Sequence, residues 1–577
     1  MGSELPSVER KWLEYYDEAE LNVEMSGSSM FDSIYNPDYV ERVAFSYFGK
    51  SFTYGSFYES IDITARAFAA NGIKKGDVVM LMLPTLPETL YCFYALNRIG
   101  AVANLTDVRY TTLQLKQVVQ KTRPRILVAM TFYLRRLETV KDELGFEKII
   151  LLRGCESLSP FICFWNKFGD FFNGRLRIAG RCQDYMFWTD FIASASSCQQ
   201  LPQADVKADD VAAIFQTSGT TGFLKSVVHT NFNLNNSSMM KHFHMNDPQP
   251  GDRVLSIIPF FALFGFVFDV HMPLKYGMTL SIVPLFNVKG MADLILKHKP
   301  NHIFSVPSHW EHVVGKMKPG CDLSFIKTVF VAGEVLDSSL RLKVNRILCS
   351  GNSKAELCSD YGMTETAGTI SYMDPKTLKD DVCGKGYSGI PMPLCDVCIY
   401  DDEALCELDY NHEGEICVQV PFSLKEYYAD KEATSDLLRT HADGKVWLHT
   451  GDSGYLTPKG HLYVIGRKKR MIVRFDGTKL FPVELEAVVK TVEGVIECCV
   501  VAGPDPEHSH GNLPYVYVVI ERAQSKQAVK REIKHSCSVK LPLYLQPYMI
   551  CMVDDIPHNS MGKIDYIKLT ERAKTEC

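Results

Sequence analysis

Short apolar runs separated by amphipathic stretches recur through most of the chain. Val78-Val79-Met80-Leu81-Met82-Leu83 is apolar throughout, which predicts a strand buried on both faces. Pro87 through Arg98 then reads as a helix ending near Gly100. Ile149-Ile150-Leu151-Leu152, Val254-Leu255-Ser256-Ile257-Ile258 and Thr328-Val329-Phe330-Val331 repeat the buried-strand pattern. Val211-Ala212-Ala213-Ile214-Phe215 does so just ahead of a polar, glycine-rich stretch. This alternation predicts an α/β fold. Near residue 466 the pattern changes, where Gly466-Arg467-Lys468-Lys469-Arg470 interrupts two strand-like runs and the remaining residues carry short strands and helices of their own. We read a large N-terminal domain of several subdomains over 1–467 and a small α+β C-terminal domain over 468–577, with the basic segment as a hinge.

Composition narrows the class. A chain of 577 residues exceeds one core, and 46% apolar with 23% charged residues suits a globular enzyme. A formal charge of −6 and the lack of a long basic block argue against a nucleic-acid partner. The 18 cysteines follow no regular spacing, which fits reduced thiols in the cytoplasm; Cys395-Asp396-Val397-Cys398 has no second pair at zinc-site spacing and reads as a strand with buried thiols. The start, Met1-Gly2-Ser3-Glu4-Leu5-Pro6, lacks an apolar signal region. The longest apolar window, Val254 to Leu274, is broken by Pro259, Asp269 and His271 and is too interrupted to span a bilayer. Phe161, Phe164, Trp165, Phe168, Phe171 and Phe172 fall at helical spacing. They admit two readings, a helix packed on the core or at a homodimer contact, and a peripheral-membrane or fatty-chain entry surface.

The densest chemistry lies in Thr217-Ser218-Gly219-Thr220-Thr221-Gly222-Phe223-Leu224-Lys225. Glycines let the backbone approach an anion, hydroxyls and free N–H groups donate hydrogen bonds, and the lysine supplies a compact positive charge, a composition suited to a polyphosphate. A Walker A loop requires GxxxxGK[ST], whereas Gly219, Gly222 and Lys225 stand as GxxGxxK, so a different nucleotide fold is expected.

Further along come Tyr361-Gly362-Met363-Thr364-Glu365, Thr450-Gly451-Asp452, Gly466-Arg467 with Lys469, Gly477 with Pro482, Glu484 and Glu486, and Gly562-Lys563. In this order and at these separations the chain resembles the adenylate-forming superfamily of acyl-CoA synthetases, peptide-synthetase adenylation domains and beetle luciferases. The resemblance implies ATP, Mg²⁺ and CoA as cofactors and a carboxylic acid as substrate. It places the β- and γ-phosphates on Lys225 and its loop, adenine against Tyr361 with Asp360 beside it, and the adenine edge at Gly333-Glu334. It assigns the α-phosphate to Thr364, Mg²⁺ to Glu365, and the ribose to Asp452 and Arg467. Lys563 would contact the reacting carboxylate and α-phosphate, and the small, mobile domain would rotate about Lys469 to open a passage at Gly477 for a pantetheine thiol. Free CoA and a carrier protein's phosphopantetheine arm would use the same passage.

Three positions depart from the superfamily pattern. Leu224 and Ser226 flank Lys225 where proline and glycine are usual. Ala262 stands in Pro259-Phe260-Phe261-Ala262-Leu263-Phe264-Gly265 where a histidine or aromatic residue borders the acyl carboxylate. These departures motivate a rival reading, a non-catalytic adenylate-binding protein. Amino-acid-activating relatives place an aspartate where Leu263 stands, and Asp269 is too far along to replace it, so non-amino acids are favoured. Phe261, Ala262, Leu263 and Phe264 are the candidate acyl pocket; Phe260, Phe266 and Phe268 suit either pocket or core.

Overall fold

The computed structural model describes residues 5–158, 184–201, 204–218, 224–238, 245–284, 286–318, 320–334, 336–373, 386–475, 478–508, 511–558 and 564–575. Gly219, Thr220, Thr221, Gly222, Gly477, Lys563 and the aromatic run from Phe161 to Phe172 lie outside the described residues.

Two large sheets organise the N-terminal part. In the eight-stranded sheet, Val78–Met82 lies between Val102–Leu105 and Ile126–Met130, all parallel. That strand is buried at every position, as a strand covered by helices on both faces must be. The helix Pro87–Arg98 follows it, with proline in the first turn where its missing N–H costs nothing, and it is buried nearly all round. Val211–Ser218 pairs antiparallel with Leu224–Thr230, whose other edge is taken by Glu426–Tyr427. That last pairing draws a segment from late in the chain onto the strand that carries Lys225.

The nine-stranded sheet carries Arg253–Ser256, His302–Ser305, Thr328–Val331 and Leu357–Met363 in parallel register, then turns antiparallel at Gly368–Tyr372. A third, six-stranded sheet contains Asp396–Asp401, Gly414–Gln419, Val446–Leu456 and Leu462–Arg467. Beyond a 3-10 turn at Lys468–Arg470 come a two-stranded ribbon, a three-stranded sheet of Val495–Pro504, Asn512–Ile520 and Met549–Met552, and three helices. These C-terminal elements bury clusters of their own, centred on Val500, Val516 and Ile533 on one face and on Tyr515, Tyr517 and Leu569 on the other.

Thr450-Gly451-Asp452 lies inside the strand Val446–Leu456, where Asp452 is held in cross-strand register with Arg467. The segment after Pro259 leads into a π-helix, Gly265–His271; Phe260 before it and Phe266 and Phe268 within it are core residues. Phe266 packs against Phe93, Phe215 and Phe260 at 4.8 to 5.5 Å between centroids. Phe264 and Ala262 remain partly exposed and border the cluster that contains Val283 and Phe286.

Candidate active site

Lys225 and His229 are four residues apart on one strand, so their side chains share a face. The Lys225 Nζ lies 4.3 Å from the centroid of the Tyr427 ring. The Tyr427 hydroxyl in turn donates to Glu365 Oε1 at 2.7 Å. Burial lowers the Lys225 pKa; attraction from Glu365 opposes that shift and repulsion from Lys469 adds to it. His229 is fully buried and its Nε2–H donates to the Thr364 carbonyl at 2.7 Å. Burial pulls its imidazole down to about 4, so it stays neutral. The strand Leu224–Thr230, directly through His229 and by way of Tyr427 on its edge, is thus pinned to the Thr364–Thr366 turn of the other large sheet at two points.

A second set of contacts joins Tyr361, Asp452 and Arg467. Tyr361 donates its hydroxyl to Asp452 Oδ2 at 2.7 Å, and Arg467 Nε donates to Asp452 Oδ1 at 2.8 Å. Arg467 Nη1 also reaches the Thr450 carbonyl at 3.2 Å. Burial raises the Asp452 pKa against the opposing pull of Arg467. Behind this pair, Glu415 Oε1 accepts the Gly451 N–H at 2.9 Å, and Thr450 Oγ1 accepts the Asp452 N–H at 3.1 Å. Asp360 is bridged by the Thr369 hydroxyl, and desolvation pushes its carboxyl up to about 7. Gly333 has φ of +81°, a left-handed turn that favours glycine, and Glu334 accepts from the Ser308 N–H and hydroxyl at 3.1 and 3.2 Å.

The structure therefore brings Lys225, Thr364, Glu365, Tyr361, Asp452 and Arg467 onto adjoining elements. Tyr427, His229 and Glu415 join them without having been singled out by the sequence. The shared strand face with Lys225 is a signal that could have found His229; Tyr427 carries none, since only edge pairing brings it there.

The positions that depart from the superfamily pattern are absorbed locally. Ser226 is fully buried and donates to Gln216 Oε1 at 2.8 Å, Gln216 donates to Asn104, and Asn104 donates to Thr122. Leu224 joins the apolar cluster of Met80, Met82 and Leu115. Thr217 donates weakly to the Lys225 carbonyl at 3.5 Å, and the Ser218 backbone pairs with Leu224. Asp269 is buried and takes the Ile257 and Ile258 N–H groups at 3.0 and 2.8 Å, a structural brace on the end of a strand. Phe261 and Leu263 are buried, with the Arg109 guanidinium 5.7 Å from the Phe261 ring centroid.

Comparison with known proteins gives a consistent picture. The family model described as AMP-binding enzyme matches residues 36–428, and the AMP-binding enzyme C-terminal domain matches residues 484–563. The chain is 26% identical over 528 residues to 4-coumarate–CoA ligase CCL1 of Humulus lupulus, covering 88% of this chain and 87% of that one. It is 26% identical over 551 residues to a long-chain-fatty-acid–CoA ligase of Bacillus subtilis (strain 168), covering 92% of each. Among solved structures, an anthranilate CoA ligase in complex with anthranoyl-AMP superposes with a TM-score of 0.80 at 19% identity, over 96% of this chain and 99% of that one. A benzoate CoA ligase of Burkholderia xenovorans LB400 gives 0.76 at 18%, over 94% and 100%.

Proposed function

The chain belongs to the family of AMP-binding enzymes, and from that premise we propose that it is an acid–thiol ligase. It joins a fatty or aryl carboxylate to the thiol of CoA through an acyl-AMP intermediate. The observation that carries this reading is the convergence of Lys225, Tyr427 and Glu365 on one side of the Thr364–Thr366 turn and of Tyr361, Asp452 and Arg467 on the strand leading into it.

Lys225 supplies charge to the leaving pyrophosphate, and the Tyr427 ring and hydroxyl fix both that ammonium and the Glu365 carboxylate. Because the Tyr427 bond engages Oε1, Glu365 retains its other oxygen as a hard donor that fits Mg²⁺. When bound, that ion would neutralise phosphate charge. Asp452 holds the ribose while Tyr361 presents its ring to adenine, and the Thr364 hydroxyl, on a turn held by His229, faces the α-phosphate. With ATP and acid aligned, the carboxylate oxygen attacks the α-phosphorus and pyrophosphate leaves; Lys563 is proposed to steady the developing charge. After rotation about Lys469, the thiol attacks the acyl carbon past Gly477 and AMP departs.

The substrate class follows from Leu263 and Asp269. Leu263 offers no partner to an α-ammonium, and Asp269 is committed to the Ile257 and Ile258 amides, with burial pushing its carboxyl well up.

The test is pyrophosphate release from ATP and Mg²⁺ across fatty, aryl and amino acids, each with and without CoA. Release with a non-amino acid and a CoA thioester product is expected. Release with thioester formed only on a carrier protein would reassign the acceptor. ATP binding without release across the panel would favour the non-catalytic reading.

A further inference from the structure

A cluster of thiols and imidazoles lies on the six-stranded sheet, away from the groups that face the nucleotide. Cys398, Cys417 and His449 stand directly opposite one another on three neighbouring strands, which places their side chains in a row on one face. Cys398 and Cys417 face each other across the strand pair and are both fully buried. Cys417 Sγ is 3.4 Å from His449 Nδ1, and His449 Nε2 is 2.9 Å from Nε2 of His441. One ligand atom each from Cys417, His441 and His449 falls within 4.8 Å of the others.

The cluster is held as a ligand set needs to be. The His441 ring lies between Tyr400, at 4.0 Å and 21°, and Trp447, at 5.6 Å and 17°. His449 Nδ1 is also 3.1 Å from Glu415 Oε2, an outer carboxylate of the kind that orients a ligating imidazole. Beyond it, Asp402 and Glu415 already share the Lys468 ammonium, so a cation is provided for on that side.

We propose that Cys398, Cys417, His441 and His449 form a binding site for a zinc-class transition ion. Two thiolates and two imidazoles suit tetrahedral coordination and cancel the charge of a divalent ion, which removes the chief cost of burying it. One ligand atom from each of Cys417, His441 and His449 already lies near a shared centre, and Cys398 stands across the strand pair from Cys417. Metal uptake forms bonds to sulfur and nitrogen and releases the thiol protons, so affinity rises with pH. Glu415 links the site to the Gly451 amide beside the ribose residue Asp452.

Cobalt(II) provides the test. The full-length chain, purified under reducing conditions and stripped with a chelator, is titrated with Co²⁺. The expected result is one ion per chain with strong visible d–d bands and a thiolate-to-metal charge-transfer band, both displaced by Zn²⁺ and weakened as the pH falls. Cobalt at Glu365 would give only the weak spectrum of an oxygen site, without charge transfer. Cys417→Ser and His441→Gln should each weaken binding by more than the about 10–100-fold seen when an outer-shell partner is lost. His441 is only partly buried, so its variant is expected to fold even where the Cys417 variant does not; circular dichroism checks both. Absence of the charge-transfer band from the parent chain, or its persistence in both variants, overturns the proposal.

Discussion

At the scale of single residues, the site depends on a few polar atoms whose partners are fixed before any ligand arrives. Tyr427 is the clearest case, since its ring faces Lys225 and its hydroxyl holds Glu365. Tyr427→Phe keeps the ring and removes one hydrogen bond to a charged group, a contact worth about 1.5–3 kcal/mol. If that bond is needed in the transition state, adenylation should slow by about 10–100-fold, with the acid's KM little changed, as measured by pyrophosphate release. Asp360 gives a pH prediction of defined sign. Desolvation raises its carboxyl from 3.8 to about 7, so the unfolded chain ionises first and stability falls as pH rises from about 4 to 7. Asp360→Asn keeps an acceptor for Thr369. Its melting temperature should exceed the parent's at pH 7 to 8 and match it near pH 4.

At the scale of elements, the C-terminal elements are tied to the turn Lys468–Arg470 by its last residue, Arg470. Its Nη2 donates to Glu486 Oε1 at 2.6 Å and to the Val500 carbonyl at 3.3 Å, and its guanidinium lies 3.9 Å from the Tyr566 ring centroid. Arg470→Ala strands a largely buried carboxylate, a loss approaching the about 3–5 kcal/mol of a fully buried pair. Limited proteolysis should then cut the C-terminal elements first, while the N-terminal elements stay protected. The same scale shows what the sequence made legible. Val78–Met82 and Pro87–Arg98 could be read because apolar periodicity and a first-turn proline are local signals. Lys225, Tyr361, Glu365, Asp452 and Arg467 could be read because each sits in a short motif. Tyr427 could not, because it reaches the site only through the pairing of Glu426–Tyr427 with Val227 and Val228. Nor could the row of Cys398, Cys417 and His449, whose spacing along the chain has no local meaning until three strands align.

At the scale of the whole molecule, the C-terminal elements bury clusters that share no residue with those of the large sheets. Two cores imply two cooperative units, so calorimetry should show two unfolding transitions, and Arg470→Ala should lower only the one belonging to the small unit. The proposed division of labour makes a further separation. Lys563→Ala should abolish acyl-adenylate formation while leaving thioester formation from supplied acyl-AMP largely intact; equal loss of both steps would count against the assigned role. Arg467, which clasps Asp452, is the residue immediately before the turn from which the small unit departs. On the proposed reading, a hinge anchored beside the nucleoside makes the small unit a gauge of what the site holds. AMP alone, with no reacting acid present, should therefore bias the distribution of orientations, and spin labels placed on the two units would record that bias as a changed spread of distances.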